Sequence, residues 1–195
     1  LKLKKNYKKK IGVKPLVKRL TKSKSFCSLI VGNGQSIFFE KYAKDFSYSQ
    51  PQTIMSITKM FANLFVGELL KNKKINLNKN VSYYLPKIGS GYANAKVQDI
   101  LNMNVVNAYT EDYTKAYSSS FMHEPVGGWR LPKSGQIKLS QEQYLNTIKN
   151  IKNRDLKNNS DYALYKSANT DVIGLIIEKI SGIPLRDWVL STVEA

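Results

Sequence analysis

Cysteine and histidine are nearly absent from the chain: Cys27 and His123 stand alone among 195 residues. A single thiol excludes an internal disulfide, and one thiol with one imidazole cannot assemble a zinc site of ordinary spacing. Metal-dependent hydrolysis is therefore not expected. Long apolar runs are also missing, since none approaches the roughly 18 residues that span a bilayer. No basic segment followed by an apolar core opens the chain, which starts at Leu1, so compartment stays open between bacterial cytoplasm and periplasm. Acidic residues are scarce, 14 against 31 Lys and Arg, for a net charge of +17.

That charge is unevenly placed. Residues 1–24 carry eleven Lys or Arg and no acid, which leaves +6 for the rest of the chain. The segment reads as a basic leader or arm, able to touch an anionic surface. Nucleic-acid binding is not expected, because the remaining Lys residues are scattered among Asn and Ser without interleaved aromatics. Residues 25–195 read as one domain with a single sizeable core.

Local pattern divides that domain. Residues 26–31 and 37–42 are β-prone runs around Gly32-Asn33-Gly34, a hairpin whose turn can take positive φ. Apolar residues at Ile57, Met60, Phe61, Leu64, Phe65 and Leu69 follow the spacing of a helix with one buried face, ending near Asn72. Val97 to Met103 reads as a shorter helix. Residues 104–138 hold no sustained period, and a loop that long in a compact domain usually forms the wall of a site. Ser140 reads as the cap of a helix to about Lys149, with Glu142 in its first turn. Ser167 reads as the N-cap of a strong helix through Ile173, Ile176, Ile177 and Ile180, stopped by Gly182, and Pro184 opens a last helix.

The chemistry-bearing pattern is Ser56-Ile57-Thr58-Lys59. A hydroxyl and an amine three residues apart at a helix start lie on one face, about a turn from each other. Serine attacks a carbonyl only when its proton is removed. Lysine can take it if its pKa falls from about 10.4 toward 7–8, a cost of about 4 kcal/mol that desolvation and the helix dipole can meet. By itself S-x-x-K is a weak signal in a Lys-rich chain, where a capping Ser followed by a solvated Lys is the ordinary explanation. Cys27 sits in an apolar strand, where a buried thiol is inert. His123 sits in the long loop, with no G-x-S-x-G elbow to make a triad.

The order of elements adds context. A hairpin, then S-x-x-K opening a long helix, then Val81 to Pro86 and Val97 to Met103, resembles the penicillin-recognising serine β-lactamase and esterase family. Tyr165-Lys166-Ser167-Ala168-Asn169-Thr170-Asp171 resembles that family's second box, a Tyr-x-Asn loop before a helix. The resemblance implies an α/β (α+β) fold with an antiparallel sheet flanked by helices, beside a helical region. It also implies that Ser56 is the nucleophile, that Lys59 is its base, and that Tyr165 passes the proton to the leaving group, with no cofactor. Ser167 stands where β-lactamases carry Asn, and the form Tyr-x-Ser is closer to the 6-aminohexanoate-dimer hydrolases and related carboxylesterases. Glu111-Asp112-Tyr113 and Gly127-Gly128-Trp129-Arg130 resemble wall segments of that subgroup, making Ser167, Tyr113 and Trp129 candidate substrate-binding residues.

The family's third motif, Lys or His, then Thr or Ser, then Gly on an inner strand, is not visible before Ala195. The expectation is a domain truncated before its C-terminal strands, with an incomplete sheet and one oxyanion-hole donor, Ser56 N–H, in hand. Three functions follow in order: a serine hydrolase of a small amide or ester, a β-lactamase or D-Ala-D-Ala peptidase, and a non-catalytic scaffold of the same fold. Oligomeric state is not legible.

Overall fold

The computed structural model describes residues 4–5, 11 and 14–194. The expected surface contact of residues 1–24 falls largely on residues 1–13, most of which lie outside the described ones. By its internal contacts the chain divides into two compact units, Leu1–Thr53 and Ile54–Ala195.

In the first unit, helix α1 (Pro15–Thr21) begins on Pro15, whose fixed φ suits a first helical position, and ends with Lys18 and Arg19 in its last turn. The expected hairpin is present: β2 (Ser28–Gly32) pairs antiparallel with β3 (Ser36–Tyr42), in the register Ser28 to Tyr42 and Val31 to Phe39. A short β1 (Lys4–Lys5) lies parallel to β3 on its other edge, giving the order β1-β3-β2. The turn departs from expectation, since Gly32, Asn33 and Gly34 take no positive φ. The Asn33 side-chain oxygen accepts the backbone N–H groups of Gln35 and Ser36 at 3.0 and 2.8 Å, turning the chain with a side chain instead. Gly32 is needed for space, because a Cβ there would lie 2.5 Å from the Ser36 carbonyl oxygen. Cys27 precedes β2 and is half-buried, so the expectation of a buried strand thiol is corrected.

The second unit is helical. After a 3-10 turn at Met55–Thr58 come α2 (Lys59–Lys71), α3 (Val81–Tyr84), α4 (Ser90–Ala93), α5 (Val97–Leu101), α6 (Ser119–His123), α7 (Gln141–Thr147), α8 (Ser167–Ser181) and α9 (Leu185–Glu194). The organising element is α8, which contacts α2, α3, α5, α7 and α9. It contributes Ala168, Val172, Ile173, Ile176 and Ile177 to the core, all essentially buried. Each buried Val or Ile contributes about 1.5–3 kcal/mol of apolar transfer free energy. Gly182 ends α8 at φ 71°, a left-handed cap that a side chain would strain.

Helix α2 packs by Ala62, Phe65, Val66 and Leu69, with Phe65 stacked on Trp188 at 4.7 Å between ring centres. Of the expected face, Phe65 and Leu69 are buried and Phe61 packs partly against the core, while the rest is displaced by Ala62 and Val66. Ile57, Met60 and Leu64 are exposed, at 60, 61 and 64%. The helix is apolar around most of its circumference, so spacing alone does not say which side faces α8. One other expectation shifts. The loop 104–138 contains α6, capped by Ser118, whose Oγ accepts Phe121 N–H. Ser140 caps α7 as expected, through a reciprocal box with Gln143.

Candidate active site

The 3-10 turn and α8 carry the three residues of interest. In a 3-10 turn, side chains three apart eclipse one another, which puts Lys59 directly over Ser56. Met55, just before Ser56, has φ 45°, a left-handed conformation that costs an L-residue about 1–2 kcal/mol. The bend is held by Thr58 Oγ1 donating to Met55 O at 2.7 Å and by Ile57 N–H donating to Ile54 O at 3.0 Å. It leaves the Ser56 hydroxyl on an exposed corner.

Tyr165 comes from 109 residues away. Leu164 N–H donates to Met103 O at 2.7 Å, tying the incoming chain to the end of α5. The first turn of α8 is fixed by buried Asn169, whose Oδ1 accepts the Tyr92 hydroxyl at 3.0 Å. The outcome is a closed three-residue arrangement: Lys59 Nζ donates to Ser56 Oγ at 2.9 Å, and Tyr165 Oη donates to the same oxygen at 2.6 Å. The Lys59 ammonium also lies 5.3 Å from the centre of the Tyr165 ring. Burial alone would push the Tyr165 phenol up. Hydrogen bonds to Lys59 and Ser56, with the Lys59 charge, outweigh it and hold the phenol below the usual tyrosine range.

Ser167 is placed differently from expectation. The N-cap of α8 is Lys166, and the Ser167 side chain makes no cap. Instead Ser167 N–H donates to Glu111 Oε2 at 2.8 Å, and Ser167 Oγ donates to Glu111 Oε1 at 2.7 Å. Its hydroxyl proton is therefore committed to Glu111. The Tyr113 hydroxyl donates to the same Glu111 oxygen, which brings the Tyr113 segment beside the Tyr165 loop. Trp129 is not brought to this group: it is 67% exposed, and its ring folds back over Gly127. Arg130 pins that segment to α6, with Nε donating to Glu124 at 3.1 Å and Nη2 to Phe121 O at 2.7 Å.

Sequence reading passed over three further residues. Glu111 was legible only as part of a wall segment. Lys166 is buried, and its amine donates to Tyr109 O and lies over the Tyr109 ring; desolvation pushes it below the usual lysine range. His123, expected as an incidental loop residue, is buried instead. It is paired with Asp171 at 3.0 Å, hydrogen-bonded to the Tyr109 hydroxyl at 3.2 Å and stacked on Tyr144 at 4.6 Å. Nothing in the local spacing signals these contacts, because each joins positions separated by a loop or more.

One of two concavities touches the Ser56–Lys59–Tyr165 group. A small recess of about 30 Å³ opens beside Lys59 against Asn63, Met103 and Thr170. A larger apolar cavity of about 470 Å³ lies among Met122, Val126, Ile137, Leu139 and Tyr144 and borders none of Ser56, Lys59 and Tyr165. Among the described residues no group of three or more His, Cys, Asp or Glu is placed to hold a metal, and no helix is long and apolar enough to cross a membrane.

No family model matches the chain. Over 157 residues, 80% of this chain, it is 28% identical to the 6-aminohexanoate-dimer hydrolase of Paenarthrobacter ureafaciens, and that match spans 38% of the relative. Among solved structures, a Bacillus anthracis protein provisionally assigned as a 6-aminohexanoate-dimer hydrolase superposes with a TM-score of 0.68. It is 17% identical and aligns over 87% of this chain and 44% of its own. The chain has the β-lactamase/transpeptidase-like fold. FmtA from Staphylococcus aureus shares this β-lactamase/transpeptidase-like fold at a TM-score of 0.55 and 18% identity, over 96% of this chain and 49% of its own. A D-stereospecific amidohydrolase from Streptomyces sp. shares it at 0.55 and 20%, over 78% and 44%. The chain thus spans less than half the length of each β-lactamase/transpeptidase-like relative it matches.

Proposed function

We propose that this chain carries the nucleophile, base and proton-shuttle residues of a serine hydrolase that cleaves a small amide or ester through an acyl-enzyme. The observation that carries the reading is the convergence of Lys59 Nζ and Tyr165 Oη on Ser56 Oγ, at 2.9 and 2.6 Å. These are hydrogen-bond distances at which a proton can pass between the groups during attack and leaving-group departure. The names of the relatives, a 6-aminohexanoate-dimer hydrolase and a D-stereospecific amidohydrolase, support amide chemistry.

In this reading Lys59 takes the proton as Ser56 Oγ attacks the carbonyl carbon. The tetrahedral oxyanion is stabilised in part by Ser56 N–H, and the leaving amine or alcohol departs with a proton delivered by Tyr165 Oη. Water then hydrolyses the acyl-serine by the same relay in reverse. Ser167, its hydroxyl proton given to Glu111, offers a substrate only its remaining lone pairs, and Tyr113 presents a half-open wall next to it. Trp129 enters as a substrate contact only for a ligand long enough to reach the α6 loop. The reading names no cofactor.

A second assignment of the base is favoured by one observation. A tyrosine phenol held below its usual range by hydrogen bonds to Lys59 and Ser56 is itself a candidate base. The experiment for the common proposal is labelling of the full-length protein by a fluorophosphonate, with burst kinetics on p-nitrophenyl acetate. Stoichiometric labelling that vanishes in Ser56→Ala is expected, and equal labelling of variant and wild type would defeat the assignment. Turnover of nitrocefin, or a stable penicillin adduct, would move the substrate class to β-lactams.

A further inference from the structure

Two segments that flank the Ser56 group are bridged by the Glu111 carboxylate. Glu111 leads into the Tyr113 segment, and its carboxylate receives Ser167 N–H on one oxygen and the Ser167 and Tyr113 hydroxyls on the other. Ser167 lies two residues after Tyr165, so whatever holds Ser167 also sets where the Tyr165 phenol points. We propose that Glu111 is a positioning residue of the Ser56–Lys59–Tyr165 group, locking the Tyr113 wall and the Tyr165 loop in one register. The proposal rests on the hydrolase reading above and deepens it.

The chemistry of the three partners explains why an acid stands here. All three present hydrogens, and an ionised carboxylate is acceptor-only, with room for several donors on two oxygens. Bonds to an ionised acceptor are also roughly twice as strong as neutral ones. Burial by itself would raise this carboxyl, but the Tyr113 and Ser167 donors outweigh it and hold Glu111 below the usual carboxylate range, so it stays ionised where the network needs an acceptor. Behind it, the buried Lys166 amine fastens the same loop to the Tyr109 carbonyl, and the Tyr109 hydroxyl, His123 and Asp171 tie α6 to α8. The loop bearing Tyr165 is thus gripped on the buried side by Lys166 and on the wall side by Glu111. Misplacing a reacting group by about 1 Å can cost on the order of 100-fold in rate, which sets the expected effect of releasing one grip.

Substitutions separate position from charge. Glu111→Gln keeps the shape, because its amide oxygen can accept Ser167 N–H while its NH₂ donates to the two hydroxyl oxygens, which can rotate to receive it. Glu111→Ala removes the bridge, and Glu111→Asp keeps the charge one methylene too short to span both partners. The test uses the full-length protein, with active sites titrated by fluorophosphonate and kcat and KM measured per titrated site. Expected are a loss of about 100-fold in kcat for Ala with KM changed by less than about threefold, at least about tenfold for Asp, and recovery to within about tenfold of wild type for Gln. Wild-type kcat per titrated site in Ala or Asp would overturn the proposal, as would a Gln variant as impaired as Ala. Should Ala fail to fold, Asp and Gln decide it. If the wild-type protein takes no label and Ser56→Ala changes nothing, the hydrolase reading itself falls and takes the Glu111 role with it.

Discussion

Replacing Tyr165 by Phe removes one oxygen and leaves the ring, and the geometry says which substrates will notice. The phenol donates to Ser56 Oγ at 2.6 Å, and Lys59 donates to the same oxygen at 2.9 Å. If Lys59 is the base and Tyr165 the acid, the phenol matters most when the leaving group needs a proton. A positioned general acid contributes typically 10²–10⁴-fold, which corresponds to about 2.7–5.4 kcal/mol of barrier at 1.36 kcal/mol per decade. An alkyl amide releases a strongly basic amine and should lose that full factor in Tyr165→Phe. A p-nitrophenyl ester releases a phenolate that departs unprotonated, and it should lose less than about tenfold. The assay is kcat/KM for a matched amide and p-nitrophenyl ester of one acyl group, on wild type and variant of the full-length protein. Equal losses on both substrates would refute this division of labour and make Tyr165 the base that activates Ser56, which its lowered phenol already makes chemically reasonable. No loss on either would remove Tyr165 from the mechanism.

Glu111 is held below the usual carboxylate range while an unfolded Glu is not, so its ionised form is favoured by folding. That contribution is fully present above the unfolded pKa of about 4.3 and is lost as pH falls through the lower folded value; the acid limb of a urea-unfolding pH series should therefore flatten in Glu111→Gln, and an unchanged limb would discount the carboxylate's role. Ile176, fully buried in α8, should cost about 2–5 kcal/mol when cut to Ala, because α8 is the helix against which five others pack. Chemical denaturation measures it, and a loss under about 1 kcal/mol would mean that α8 is not the centre of this unit's core.

Much of this arrangement could be written down from residue order. The hairpin, the α2 and α8 helices, the Ser140 cap and the Gly182 stop all depend on contacts within a few residues, where side-chain type and backbone preference act directly. The Ser56–Lys59 pair belongs to the same class, since its spacing places both groups one above the other in any helical turn. Resemblance to a known pattern of boxes then singled out Tyr165 from twelve tyrosines, a choice that spacing does not make.

What local order left open follows from the same physics. Helix α2 is apolar on most sides, so the packing against α8 decided that Ala62 and Val66 face inward and that Met60 and Leu64 do not. Ser167 has the residue type of an N-cap, yet the helix begins on it with Lys166 as the cap, and a carboxylate 56 positions earlier in the chain accepts its hydroxyl proton. His123 reads as a lone loop histidine until folding encloses it between Tyr109, Tyr144 and Asp171. The sequence by itself determined which short segments coil or extend and that Ser56 and Lys59 stand one above the other, because those are properties of neighbours along the chain. Tertiary structure alone decided which face is buried, which hydroxyl is committed to which acceptor, and that the 56, 59 and 165 side chains share one oxygen, because hydrogen bonds and close packing act over a few ångströms in space whatever the distance along the chain.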